Sequence, residues 1–195
     1  TSQNYGAISL GYQSGKESQG IASVAIGVFS GVTEQGEYSI GIGSEAGRED
    51  QSRNSIAIGR QAGMTAQRYG SIGMGNEAGK TNQLHESVAI GSRAGMTSQS
   101  SKSIAIGSEA GHEDQNNSSV AIGNQAGMTY QSYSSIAIGN EAGKNNQLNE
   151  SLAIGNRAGM TSQSRNSIAI GRQAGMTSQR YGSIGMGNEA GKTNQ

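Results

Sequence analysis

The chain has 195 residues, with 14 Lys and Arg against 14 Asp and Glu, no Cys, no Pro and no Trp. A net charge of zero gives no field that would draw nucleic acid, the lack of Cys excludes disulfides and thiolate metal sites, and no apolar run comes near the ~18 residues of a membrane-spanning helix. Only about one residue in seven is Leu, Ile, Val or Phe, a level usually associated with disorder, but disorder also calls for high net charge.

From residue 4 onward the sequence repeats with a period of sixteen. The first two rows, containing "ISLGYQSGKESQ" and "VAIGVFSGVTEQ", drift furthest from the pattern. The later rows settle into Ser-Ile-Ala-Ile-Gly, then Ala-Gly, then Gln. One Gly column runs from Gly11 through Gly59 to Gly187, a second from Gly15 through Gly63 to Gly191, and a Gln column from Gln19 to Gln195, each filled in all twelve rows. Ser52–Gln83 recurs as Ser164–Gln195 with one change, Ala66 against Ser178. The last row is as regular as any, whereas solenoids end in atypical caps. Residues 1–195 are therefore expected to be a single repetitive segment of a longer fibre.

Two strands are predicted per row. In the fourth they run through Ser55 to Gly59 and Met64 to Gln67, with turns at Arg60-Gln61 and at Arg68 to Gly70. Ile-Ala-Ile alternates with the period of a strand, and two Gly per row disfavour helix. Strands this short need partners, which parallel stacking of successive rows about 4.8 Å apart supplies. The expected fold is all-β, a parallel β-solenoid of twelve 16-residue coils. The large aliphatic positions, Ile56, Ile58, Ile104, Ile106, Ile136, Ile138, Ile168 and Ile170, are expected to point to a core, leaving Ala and Gly on a bare outer face. One such coil buries little apolar surface, so a homotrimer is expected to supply the missing burial.

The variable columns agree with in-register stacking. No two Glu are neighbours in the column Glu45, Gln61, Glu77, Arg93, Glu109, Gln125, Glu141, and no two basic residues in the column Arg48, Met64, Lys80, Met96, His112. Like charges stacked at about 5 Å would repel by roughly 1 kcal/mol per step. Each such Glu also has a basic residue or His112 three positions on, as in Glu141 and Lys144. The unchanging Gln column, Gln67, Gln83, Gln99, Gln115, Gln131, Gln147, Gln163 and Gln179, reads as an inward or interfacial amide ladder, since an outward Gln would be free to drift.

Chemistry-bearing motifs are explained by the repeat. "GNEAGKT" at Gly75–Thr81 has three residues between its glycines, one fewer than a phosphate-binding loop. "GIGSEAG" at Gly41–Gly47 has the wrong last spacing for a dinucleotide site. His85 and His112 have no partners at metal-ligand spacing, and no Ser-His-Asp set recurs. No catalytic, cofactor or metal residues are expected, and rows this uniform shape no unique cleft, so no enzyme is expected. Tyr69, Tyr133 and Tyr181, in the turns, are the candidate surface contacts. A Thr column (Thr33, Thr65, Thr81, Thr97) suggests ice binding as an alternative, although Glu17, Glu49 and Glu113 interrupt it. The Gln and Asn content suggests a functional-amyloid subunit as another.

"NSIAIG" at Asn54–Gly59 and Asn166–Gly171, "ESVAIG" at Glu86–Gly91 and "SSVAIG" at Ser118–Gly123 resemble the head repeats of YadA-like trimeric autotransporter adhesins and the similar Ala-Ile-Gly arrays of phage and large-virus fibres. The resemblance covers the whole chain, with sixteen residues per row where the adhesin repeat is nearer fourteen. It implies a left-handed, homotrimeric β-roll displayed outside a cell, on the cell surface or on a virion. Its partners would be itself and a host-cell surface or extracellular matrix, with no nucleic acid and no membrane insertion in this segment.

Overall fold

The computed structural model describes residues 3–193; Thr1, Ser2, Asn194 and Gln195, the last rung of the Gln column, lie outside the described residues. The chain is an all-β parallel β-solenoid, with no helix among the described residues. It forms two compact units, Thr1–Ser101 and Lys102–Gln195.

Every coil contributes an Ile strand and most contribute a Gln strand. In the first unit the Ile strands Ile8–Leu10, Val24–Ile26, Ile40–Ile42, Ile56–Ile58, Ile72–Met74 and Val88–Ile90 pair in parallel. Glu17–Gln19, Thr33–Gln35, Glu49–Gln51, Thr65–Gln67 and Thr81–Gln83 form a second parallel sheet. The second unit repeats the plan, its Ile strands running from Ile104–Ile106 to Ile184–Met186 and its Gln strands from Glu113–Gln115 to Thr177–Gln179. Register is sixteen throughout, as in Ile56↔Ile72 and Gln67↔Gln83. Backbone amides therefore bond to neighbouring coils: Ile56 N–H donates to Ser71 O at 2.9 Å, Gly63 N–H to Ala78 O at 3.0 Å and Gly59 N–H back to Ile42 O at 2.8 Å. A strand of three residues persists because each coil is the template for the next.

The interior holds small and polar side chains, and this corrects the expected facing of the Ile columns. Ala57, Ala62 and their equivalents are fully buried, together with the Ser column (Ser55, Ser71) and the Gln column (Gln67, Gln83). Ile56, Ile58, Ile104, Ile106, Ile136, Ile138, Ile168 and Ile170 are turned outward and half-buried. The coil is too narrow for them: the Gln67 side chain alone crosses it, its Nε2 reaching Ile56 O at 2.7 Å. With that amide filling the gap, the inward position between the two large residues holds a small side chain, Ala or Gly in every coil but the first, where Ser9 stands.

Left-handed backbone makes the corners. In the fourth coil Asn54 (φ 58), Gln61 (φ 57) and Ala66 (φ 55) adopt it, and the same three positions do so in other coils. Ala66 sits in the middle of a Gln strand, where only the flanking residues pair, Thr65 with Thr81 and Gln67 with Gln83. That kink breaks the period of two, so Thr65 stays at the surface while Gln67 turns inward. Conformations with positive φ disfavour β-branched side chains above all, and none of these three columns contains Val, Ile or Thr in any row.

Candidate functional site: amide ladder, outward apolar columns and the Gly36 groove

The Gln column is a ladder tied to the backbone. Gln67 Nε2 donates to Ile56 O at 2.7 Å across its own coil, to Ser71 O at 3.2 Å and to Gln83 Oε1 at 3.3 Å in the next coil. Amide-to-amide steps run Gln35→Gln51→Gln67→Gln83→Gln99 in the first unit and Gln115→Gln131→Gln147 in the second. Gln163 and Gln179 keep their bonds to Leu152 O and Ile168 O, both 2.7 Å, while their Oε1 atoms are buried without a hydrogen-bond partner. The cross-coil bond is thus the constant element and the amide step the weaker one.

Two further columns serve the ladder. A Cβ on Gly63 would lie 2.5 Å from Gln67 Oε1 and 2.7 Å from its Cδ; the second Gly column is the space the amide occupies. Ser55 Oγ donates to Ser52 O at 2.6 Å and Ser71 Oγ to Arg68 O at 2.7 Å, closing the corner before each Ile strand. The Ser column, present in every row but the first, where Ala7 stands, escaped the sequence reading because Ser so often marks an exposed turn.

Outside, Ile56, Ile72 and Val88 stack in one column and Ile58, Met74 and Ile90 in a second, with the same arrangement around Ile136 and Ile138 in the second unit. Each unit thereby presents two columns of large aliphatic side chains on one sheet. Among the described residues no cluster of His, Asp or Glu could hold a metal ion.

Elsewhere the surface is charged and paired in register. Glu141 Oε2 accepts from Arg157 Nε of the next coil at 2.7 Å and its Oε1 from Lys144 Nζ of its own coil at 3.1 Å. The Arg157 hydrogen bond first, and Lys144 second, hold its carboxyl below the ordinary Glu value. Glu45 with Arg48, Glu77 with Lys80 and Glu189 with Lys192 repeat the pairing within a coil, and His112 lies 3.6 Å from Glu113. An exposed Asn ladder joins Asn124, Asn140 and Asn156 at 3.0–3.1 Å. The Thr hydroxyls turn to the backbone, Thr81 Oγ1 donating to Met96 O at 3.2 Å and Thr161 Oγ1 to Met176 O at 3.0 Å.

Tyr69, Tyr133 and Tyr181 are all exposed. Tyr69 lines an open groove of about 410 Å³ in the first unit, together with Glu34 and Asp50 of one column, Gly36, Ser52 and Arg68 of the corner column, and Arg53, which stacks below Tyr69. Gly36 carries no side chain because a Cβ there would meet Arg53 N and Ser52 C, each at 2.5 Å. The groove's acidic pair went unnoticed in the sequence, where Glu34 and Asp50 are two members of a variable column; their position beside a side-chain-free corner is the signal. Compared with known proteins, the chain matches no family model, no curated protein and no solved structure.

Proposed function

We propose that the chain is a structural and adhesive segment of a surface fibre, displayed outside a cell or on a virion, and that it works as a homotrimer. The observation that carries this reading is the inverted coil, with Ala, Ser and Gln inside and the aliphatic columns outside. Six coils at about 4.8 Å give each unit an apolar strip roughly 29 Å long and 10 Å wide. That is on the order of 300 Å² per unit, in the range of the largest apolar patch on a monomer, which is often functional. Three copies around one axis bury these strips on each other, and the regular spacing lets every coil make the same contact. In this reading the coil is the left-handed roll that the resemblance to adhesin heads implies.

Sedimentation equilibrium tests the assembly. The expected mass is three times the 20.0 kDa of the chain. Ile58→Lys with Ile138→Lys, both on outward positions, should give monomers that keep their β-sheet signal. A stable folded monomer of the parent chain would overturn the trimeric reading.

A further inference from the structure

We infer that the Gly36 groove is a binding site for a neutral saccharide. This supplies the adhesive half of the function proposed above and does not depend on the oligomeric half. The groove's volume, about 410 Å³, falls in the small-molecule range, and its lining is mixed: most of the residues are polar or charged, while somewhat more than half of the surface they present is apolar. A ligand with both polar groups and an apolar face matches that mixture. Glu34 and Asp50 are acceptors only, and Arg53 and Arg68 donors only. Hydroxyl groups, which both donate and accept, can satisfy both kinds of lining group.

Charge selects the class further. Arg53 is already paired with Glu37, at 3.1 Å, which leaves Arg68 against two carboxylates and no net positive field to hold an anion. The Tyr69 ring, 48% exposed, offers an apolar face with a polar tip, a platform for the C–H face of a sugar ring.

The sequence contains its own control. Ser164, Arg165, Arg180 and Tyr181 repeat Ser52, Arg53, Arg68 and Tyr69 in the second unit, but Asn146, Leu148 and Ser162 stand where Glu34, Gly36 and Asp50 stand in the first. There Tyr181 is 74% exposed. The duplicated row provides the basic and aromatic residues, and only the first unit adds the acidic pair and the open corner.

The full chain is titrated with N-acetyllactosamine, chitotriose and maltotriose, with sialyllactose as the anionic comparison, and binding is read by saturation-transfer NMR on the sugar. At least one neutral saccharide should bind saturably with a dissociation constant on the order of 1 mM. Glu34→Asn with Asp50→Ser, the residues the second unit carries, should weaken it at least about tenfold with an unchanged melting temperature, while Tyr181→Ala should leave it intact. No saturable binding by any of the three sugars, survival of binding in E34N/D50S, or preference for sialyllactose would each overturn the assignment. Sedimentation of the same sample separates this failure from failure of the trimer.

Discussion

Replacing Gln67 by Ala tests the inverted core at its centre. The change deletes one short donor bond to Ile56 O, at 2.7 Å, two longer ones to Ser71 O and Gln83 Oε1, at 3.2 and 3.3 Å, and the acceptor for Gln51 Nε2 at 3.2 Å. Counting the short bond at about 1 kcal/mol and the three longer ones at about half that each gives roughly 2.5 kcal/mol. The void left in a fully buried position adds on the order of 1 kcal/mol, for a total of about 3–4 kcal/mol. For a chain of this length that is a fall of about 6–16 °C in Tm, measured by circular dichroism alongside urea unfolding. Gly63→Ala supplies an internal check, because its new Cβ would strike the Gln67 amide. In the Gln67→Ala background that clash disappears, leaving the left-handed backbone cost, about 1 kcal/mol, and a tight 3.2 Å contact with Ala57 Cβ that is present in either background. The two changes should therefore cost at least about 1 kcal/mol less together than the sum of their separate effects. A loss below about 0.5 kcal/mol for Gln67→Ala, or strict additivity with Gly63→Ala, would refute the view of the second Gly column as amide space.

Two further outcomes follow from the corners and the charges. Ala66→Val puts a β-branched side chain at φ 55 and should cost about 1–3 kcal/mol, whereas Ala66→Ser, the residue at Ser178, should be neutral within about 0.5 kcal/mol in urea unfolding; equal effects would remove the backbone explanation. Glu141 has a folded pKa below its ordinary value of 4.5, so its contribution is present above that pH and is lost as pH falls through the folded value. The parent should exceed Glu141→Gln by under about 1 kcal/mol at neutral pH and lose that margin below the ordinary Glu value, and a margin that persists there in acid unfolding would contradict the pairing.

The period, the strand type and the in-register stacking are legible in the sequence because stacking writes itself into columns. Glu141 is never next to another Glu, and Gln67 has Gln above and below. The left-handed corners are legible too, in three columns that avoid Val, Ile and Thr, once absence is read as well as presence. The direction of the Ile side chains is not, because alternation separates two faces without saying which one is inside. Hydrophobicity assigns Ile56 and Ile58 inward; volume assigns them outward, since a coil bridged by one Gln side chain has room only for Ala57 between them. The Gly36 groove depends on side chains from four successive coils, a relation no single row contains.

The same width constraint ties the inside of this protein to its outside. A coil that satisfies its backbone through neighbouring coils and its interior through Gln67, Ser55 and Ala57 gains uniform, specific stacking, since an amide with several fixed partners tolerates no slip of register. It gives up the apolar burial that usually stabilises a domain of this size. The aliphatic side chains displaced to the surface hold that unused burial, and in each unit they hold it on one sheet where every coil repeats the same two positions. The proposed lateral assembly would therefore require no special sequence at a special place: adding a row lengthens the solenoid and the apolar strip by the same step. In the homotrimer proposed above, near-identical duplication such as that of Ser52–Gln83 as Ser164–Gln195 would change the length while leaving the interface matched to itself.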